Sequence, residues 1–284
     1  MLDGACIIWR TFLYQFKRQF ISHKTLAIAI VMGIWLNAML RPVADFCYRT
    51  GYRVFPWFFP FLGSDYICQM FIVTGGVFLL SDAQISEQNR LYMQYRTGTF
   101  CWKCAGIVYI AVVAMIYVLG VCGMGWLNLA DVMTIGHSWG KIWGTLVQTS
   151  AAVEYHIPFS LFYSVMTFPP MKASLYAVLL EWLCISFLGV LMYILNDITG
   201  KKIGGIAAAG CIFLDLWLYN ANVLWLSRYS PVTMAQLRYY NGDYARYGLT
   251  LSYAFGYLGL LCMGITLCIL ISTGRWRRKR KRGS

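Results

Sequence analysis

The chain has 284 residues, of which 59% are hydrophobic and only 12% are charged, and its mean hydropathy is +0.58. A soluble domain typically carries roughly a quarter charged residues, so this chain has too few polar side chains to cover a water-soluble globule. Disordered and collagen-like chains are excluded because aromatic residues reach 17% and only 7 prolines are present. The composition predicts an all-α integral membrane protein with a single transmembrane domain over residues 1–284.

Residues 1–24 are amphipathic at helical spacing, which is typical of a helix lying in the membrane interface. An ordinary basic flank to the first span is the alternative, and both interpretations place the segment in the cytoplasm. A cleavable signal is disfavoured because Arg41-Pro42, and not a run of small residues, follows the first apolar stretch. The apolar face of the helix comprises Ile8, Trp9, Phe12, Leu13, Phe16 and Phe20.

Apolar runs within residues 25–272 predict six membrane-spanning helices. A helix needs roughly 20 apolar residues to cross the hydrocarbon core, and the first two runs are short by that measure. A cytoplasmic amino terminus puts 16 of the 24 Lys and Arg residues on the cytoplasmic side, so both termini are predicted to be cytoplasmic. The predicted spans are Thr25–Leu40, Tyr66–Ser81, Cys104–Leu127, Ser174–Leu195, Ile203–Val223 and Leu249–Ser272.

Small residues recur at a spacing of four in the fifth predicted span. Such pairs allow two helix backbones to approach closely. The partner helix could belong to this chain or to a second copy. The pairs are formed by Gly204, Gly205, Ala208 and Ala209.

Three segments on the predicted outer side differ from ordinary loops. Val43–Asp65 is dense in aromatic residues, which is typical of the membrane–water boundary. Ile157–Pro170 is apolar but too short to cross, so it is predicted to be re-entrant or interfacial. Leu224–Gly248 is rich in Tyr and Arg, and its Ser230-Pro231 pair predicts a break in any helix there.

Residues 273–284 are strongly basic, with seven Lys and Arg between positions 275 and 282, and they contribute to a net charge of +13. Directly after an apolar segment, such a run indicates a cytoplasmic tail that binds anionic lipid. A nucleic-acid-binding arm is the alternative for a basic run, but this context disfavours it, and no nucleic acid is expected as a partner.

Motifs for nucleotide and metal binding are missing from the sequence. Lys202 follows Gly200-Lys201 where a phosphate-binding loop needs Ser or Thr, and Leu195 stands in place of its first glycine. The three histidines are scattered, so this chain is not expected to bind a metal or cofactor or to act as an enzyme. Cys101 and Cys104 have redox or zinc spacing, but two thiols at the start of a span are the simpler interpretation.

The connection between the second and third predicted spans, residues 81–98, has the features of a short surface helix. Asp82 can cap its amino terminus and Thr97-Gly98 can end it. Polar and aromatic side chains repeat between them at helical spacing, which suits docking to a soluble partner, although a solvated connector is the alternative. The candidate docking residues are Asp82, Glu87, Gln88, Arg90, Leu91, Tyr95 and Arg96.

Six spans, an interfacial amino-terminal helix and a cytosolic helix between spans two and three together resemble the permease subunit of a type-2 ATP-binding-cassette exporter. Residues 79–83 and 91–98 resemble that loop in small bacterial members of the family. Phe168–Ala173 and Arg228–Val232 resemble their outer elements. The shared layout extends over nearly the whole chain.

The resemblance implies a bacterial plasma-membrane protein that forms an export path and works with separately encoded ATPase subunits, which bind ATP and Mg. It also implies pairing with a second permease copy or a paralogue, and a coupling helix between Asp82 and Arg96 that sits in a groove of the ATPase. A proton-coupled secondary transporter and a membrane-embedded enzyme acting on lipids are the alternatives. The inverted repeats common in the former are not evident in the sequence.

Two acidic residues fall inside predicted spans, and each lies about 10–12 Å below the outer surface at a rise of about 1.5 Å per residue. They are Glu181 and Asp215, and no predicted span contains a Lys or Arg to pair with them. Because a charge at mid-bilayer costs roughly 2.5–3.5 kcal/mol, such acids are candidate functional residues. We hypothesise that they line a translocation path that favours cationic cargo or shares one proton. Alternatively, each acid is protonated or hydrogen-bonded and only helps the helices to pack.

Overall fold

The computed structural model describes residues 2–81, 94–199, 203–221, 224–240 and 249–282. Over these residues the chain is helical and contains no β-strand, only an isolated pairing of Val54 with Met133. The long helices are α1 (Leu2–Gln19), α2 (His23–Thr50), α3 (Tyr66–Leu80), α4 (Thr99–Leu129), α5 (Pro170–Thr199), α6 (Gly204–Ala221) and α7 (Leu251–Arg282). The short helices and 3-10 turns are Phe59–Leu62, Gly140–Gln148, Ala151–Glu154, Tyr163–Met166, Leu224–Ser227, Thr233–Ala235 and Leu237–Tyr239.

Five of these helices, α2, α4, α5, α6 and the Leu251–Ile269 part of α7, are long and apolar enough to cross a membrane. Helix α3 is apolar but has only 15 residues. At about 1.5 Å per residue it is roughly 22 Å long, which is less than the ~30 Å hydrocarbon core. The predicted all-α fold is therefore confirmed over the described residues, and five helices have the length and composition of membrane spans.

Helix α1 forms where the amphipathic pattern predicts it and packs against α4. Phe12 is buried in this contact, whereas Trp9 and Leu13 of the predicted apolar face are turned outwards and are 58% and 41% exposed. The aromatic rings of the face form a row, with centroids 5.8 Å apart between Phe12 and Phe16 and 4.8 Å apart between Phe16 and Phe20. Only one edge of the predicted face thus packs against the protein.

The first predicted span, Thr25–Leu40, lies within a longer helix, because α2 continues through Pro42 to Thr50. Proline removes one backbone N–H, which a membrane helix tolerates where its flanking residues are packed. The extension projects beyond α4, since the Asn37 amide already donates to the Asn128 side chain near the end of α4 at 2.9 Å. The extension buries the side chains of Val43, Phe46 and Cys47.

Helix α5 lies at the centre of the bundle and packs against α3, α4, α6 and α7. Its Trp182 indole donates to the Ala111 carbonyl of α4 at 2.8 Å. Near its last turn, the Asp197 carboxylate accepts a hydrogen bond from Lys103 of α4 at 2.7 Å. This ion pair joins the carboxyl end of α5 to the first turns of α4.

The α5–α6 hairpin depends on a close backbone approach at Gly204. Its N–H donates to the Asn196 side chain at 2.7 Å, and a Cβ at this position would lie 2.7 Å from the Met192 Cα. A Cβ at the neighbouring Gly205 would meet nothing within 4 Å. The small-residue pair that begins at Gly204 therefore packs within this chain, against α5.

Residues 41–65, 130–169 and 224–240 cover the end of the bundle opposite α1, which we call the loop end. Backbone hydrogen bonds join Val54 to residues 132 and 134 at 3.0 and 2.9 Å. The Trp143 indole donates to the Phe55 carbonyl at 2.9 Å. These long-range contacts make the loop end a packed layer and not a set of independent loops.

The structure changes the interpretation of the predicted outer segments. Of the aromatic side chains in Val43–Asp65, Phe58, Phe59 and Phe61 are buried inside the protein, whereas Tyr48 and Tyr52 are exposed. The Phe61 ring stacks on that of Trp143, with centroids 5.1 Å apart. The Ile157–Pro170 segment contains only one short helical turn.

Replacing Gly204 with alanine should destabilise the protein by about 1–3 kcal/mol, because the new Cβ overlaps the backbone of α5. The matched change Gly205→Ala should be neutral or slightly stabilising, since alanine favours helix and its Cβ meets open space. Thermal unfolding of the two detergent-purified variants measures the difference. Equal midpoints would contradict the close approach at Gly204.

Candidate functional site

Five of the seven candidate docking residues, Asp82, Glu87, Gln88, Arg90 and Leu91, lie outside the described residues. Tyr95 and Arg96 are described, and both side chains are exposed on a helical stretch at 94–97. This stretch ends at Gly98, which has a φ of 83° and whose N–H bonds to the Gln94 carbonyl at 2.9 Å. The predicted helix end at Thr97-Gly98 is therefore confirmed.

The two candidate acids are both buried in the bundle, with exposed fractions of 1% for Glu181 and 6% for Asp215. Glu181 projects from the central helix α5 and Asp215 from α6. Both lie within electrostatic range of the Cys184 thiol of α5. Within the described residues they share no hydrogen bond, so each acid has its own set of partners.

Glu181 pairs with a neutral side chain of α3. Its Oε2 accepts a hydrogen bond from the Gln69 amide at 2.7 Å, and Gln69 is itself fully buried. Glu181 Oε1 and Gln69 Oε1 have no hydrogen-bond partner among the described residues. The nearby Tyr117 hydroxyl is within electrostatic range of the carboxyl group but donates to the Ile72 carbonyl at 2.8 Å. Glu181 thus retains acceptor capacity inside the bundle.

Asp215 is held by the loop end. The Thr233 hydroxyl donates to its Oδ1, and the Gln236 amide donates to its Oδ2 at 3.2 Å. The Ser230 hydroxyl also hydrogen-bonds to the carboxyl group. The donors come from residues 230–240, which we call the docked segment and which are buried throughout. The carboxyl group of α6 therefore fastens an otherwise irregular segment to the bundle.

Arg238 brings a cation to this cluster. It is only 3% exposed, and its guanidinium lies within electrostatic range of Asp215. The group is 5.0 Å from the ring centroids of Phe162 and Tyr219 and 4.6 Å from that of Tyr239, distances at which a cation is attracted to an aromatic face. One terminal nitrogen also donates to the Tyr239 hydroxyl at 2.7 Å. Aromatic rings and one acid together compensate for the burial of this charge.

The sequence did not indicate Arg238 as a partner for an intramembrane acid. Arg238 lies between the fifth and sixth predicted spans, so it was counted among the cations on the outer side. No predicted span contained a cation that could pair with Asp215 or Glu181. The one local signal is the run Arg238-Tyr239-Tyr240, which places aromatic rings beside the guanidinium. The fold of the docked segment, and not any span, brings the cation into the bundle.

Tyr240 closes the docked segment on itself. Burial raises the pKa of its hydroxyl, so the group stays protonated near neutral pH and can donate. The acceptor is the Met234 carbonyl. This hydrogen bond holds the 3-10 turns in a compact shape around the Asp215 donors.

No site for a metal is evident in the described part of the chain, where no three His, Cys, Asp or Glu side chains come together. Cys101 and Cys104 are both half-buried free thiols on the first turns of α4. Their nearest charged neighbour in sequence, Lys103, is already paired with Asp197.

No protein-family model matches the chain, and neither a curated protein nor a solved structure matches it.

Replacing Asp215 with alanine should cost about 3–5 kcal/mol of stability, because it leaves the buried Arg238 without its acid and three donors without an acceptor. Adding Arg238→Met should recover part of this loss, so the two changes should be non-additive. Unfolding of both single variants and the double variant in mixed micelles measures the coupling. The exposed Asp131→Ala serves as a control that should change stability little, and additive losses at 215 and 238 would argue against the cluster.

Proposed function

We propose that this chain is the permease subunit of an ATP-binding-cassette exporter and that separate ATPase subunits supply the energy. The observation that carries the proposal is the arrangement at the α1 end of the bundle. There α1 packs against α4, and the Lys24 ammonium at the start of α2 donates to the Ser81 hydroxyl at the end of α3, at 2.6 Å. Ser81, which precedes the proposed coupling helix in sequence, therefore lies next to the helices that would move.

The absence of a phosphate-binding motif from the sequence supports a separate energy source. In the proposed complex, ATP and Mg bind to the partner ATPase, and the helix between Asp82 and Arg96 docks into it. Useful coupling requires that this helix contact the open and closed states of the ATPase differently. A second permease copy or a paralogue completes the export path.

The proposed topology has six spans in a bacterial plasma membrane, with α3 as the second and shortest span. Both termini are cytoplasmic in this scheme, since it places 16 of the 24 cations inside. The basic tail then lies against anionic lipid of the inner leaflet. The loop end, with its packed aromatic layer, faces the outside.

Glu181 is the stronger candidate for contact with cargo or a proton in this scheme. One of its oxygens has no hydrogen-bond partner among the residues that the structure describes, whereas Asp215 is occupied by donors of the docked segment. An acid with spare acceptor capacity, held by a neutral amide, can accept a cationic group when the surrounding helices separate. Asp215 would then act by moving the docked segment together with α6.

Charge reversal in the proposed coupling helix should weaken ATPase binding. The double change Glu87→Lys with Arg90→Glu leaves net charge unchanged but inverts the local pattern, which should reduce co-purification with a co-expressed ATP-binding-cassette ATPase subunit at least several-fold. The matched control is Asp131→Lys with Arg53→Glu, two exposed positions at the loop end. Undiminished capture of the ATPase by the 87/90 variant would oppose the proposal.

Neutralising the Glu181 carboxyl group should weaken export of cationic compounds selectively. Glu181→Gln keeps the size of the side chain but removes the negative charge, so efflux of a cationic dye should fall several-fold while a neutral dye of similar size is unaffected. Vesicles containing the permease and its ATPase would report both rates. Glu154→Gln, an exposed acid at the loop end, is the control, and equal losses for both dyes would instead indicate a packing role.

A further inference from the structure

Three aromatic rings surround the guanidinium of Arg238 and form a cage around a cation. Phe162 comes from residues 130–169 of the loop end, Tyr219 lies near the end of α6, and Tyr239 belongs to the docked segment. Their ring centroids are 5.0, 5.0 and 4.6 Å from the guanidinium carbon. We call these three rings the aromatic cage.

Two of the three rings belong to the bundle and the loop end independently of the docked segment. The Tyr219 ring stacks on that of Tyr66 at the start of α3, with centroids 4.0 Å apart, so a second helix holds it in position. Asp215 lies one turn before Tyr219 on α6, and its carboxyl group is within electrostatic range of the caged cation. The aromatic cage therefore has an acid beside it and keeps two rings when the docked segment moves away.

Arg238 fills the aromatic cage without satisfying its own hydrogen-bonding groups. A guanidinium carries five N–H donors. Among the described residues, the Tyr239 hydroxyl is the one acceptor that it contacts, at 2.7 Å. The Arg238 Nε is buried and has no partner there, and the described residues include no carboxylate in direct contact with the group. The aromatic cage thus attracts positive charge but lacks the acceptors that arginine requires.

The aromatic cage lies beside the protein surface. Tyr219 is 42% exposed, although its ring centroid is 5.0 Å from the guanidinium carbon. Phe162 is half-buried. A small ligand can therefore reach both rings from outside once the side chain of Arg238 has left.

We infer that the aromatic cage binds a quaternary ammonium group and that Arg238 occupies it as an internal stand-in, which the ligand replaces. A quaternary ammonium ion is attracted to aromatic faces and has no N–H donor to satisfy, so it suits the aromatic cage better than a guanidinium does. Asp215 supplies negative charge, and the released guanidinium regains hydrogen bonds to water. The inference concerns binding and does not rest on the proposed export function, so its failure would leave that proposal standing.

The experiment uses the full chain in nanodiscs of phosphatidylglycerol, titrated with tetramethylammonium chloride and, separately, with sodium chloride at equal ionic strength. Arg238→Ala empties the aromatic cage, so tetramethylammonium should raise the thermal unfolding midpoint of this variant in a saturable way that sodium does not reproduce. The wild type should bind tetramethylammonium at least about tenfold more weakly, because Arg238 competes for the same rings. Arg238→Gln replaces Arg238→Ala if that variant does not fold.

Second changes on the Arg238→Ala background separate the aromatic cage from other rings. Tyr219→Leu removes one ring of the cage and should abolish the effect of tetramethylammonium. Tyr229→Leu removes an exposed ring whose centroid is 5.4 Å from the guanidinium carbon of Arg228, and it should leave the effect unchanged. A midpoint that rises no more with tetramethylammonium than with sodium, or that rises equally after Tyr219→Leu, would overturn the cage as a binding site.

Hydrogen exchange of the wild type tests the replacement of Arg238. Saturating tetramethylammonium should increase amide exchange at residues 230–240, since the ligand and the docked segment compete for the same rings. Unchanged exchange there would overturn the replacement. Nanodiscs of phosphatidylcholine identify the source of the ammonium group. Faster exchange in them without added salt would support a lipid head group as the ligand, and faster exchange only with tetramethylammonium would support a free molecule.

Discussion

A polar group inside an apolar solvent must find its partners within the protein, and this requirement explains much of the architecture. Asp215 lies on α6, a helix long and apolar enough to cross a membrane. Its carboxyl group therefore needs donors from elsewhere in the chain, because an unpaired buried charge is strongly destabilising. The docked segment supplies Thr233, Gln236 and the guanidinium of Arg238. One buried acid thereby holds the docked segment, in which the regular structure is two short 3-10 turns, against the bundle.

The same requirement for polar partners holds the central helix α5 at two positions along its length. Near one end α5 is paired through Asp197 with Lys103, and farther along it is paired through Glu181 with Gln69. A helix of 30 residues is about 45 Å long and behaves as a rigid element. In the proposed exporter, such a helix links the surface that receives the ATPase to the half of the bundle that contains the acids. A displacement of one end of α5 would then move the other end, although the ATPase and the acids do not touch each other.

The candidate acids could be found from the sequence because charges within apolar runs are rare. Their different surroundings could not be predicted, because packing decides which side of a helix faces the protein interior. Packing also decides which residue of a distant loop reaches the acid. Glu181 and Asp215 have similar predicted depths, yet one meets a neutral amide of α3 and the other a cluster from the docked segment. The pairing of Arg238 with Asp215 could not be predicted for the same reason. From the sequence, an arginine in a connecting segment is expected to be exposed to solvent. Only the tertiary structure shows the aromatic rings and the acid that surround it.

Sequence alone determined that this is a helical membrane protein, because the backbone of an apolar run must satisfy its own hydrogen bonds in lipid. It also located the starts of most of the described helices to within a few residues, because composition changes sharply where an apolar run begins. The continuation of α2 through Pro42 and the burial of the Phe58–Phe61 aromatics were decided only by tertiary structure. Both depend on contacts with distant segments of the loop end, which outweigh the local preference for a helix break or a membrane boundary.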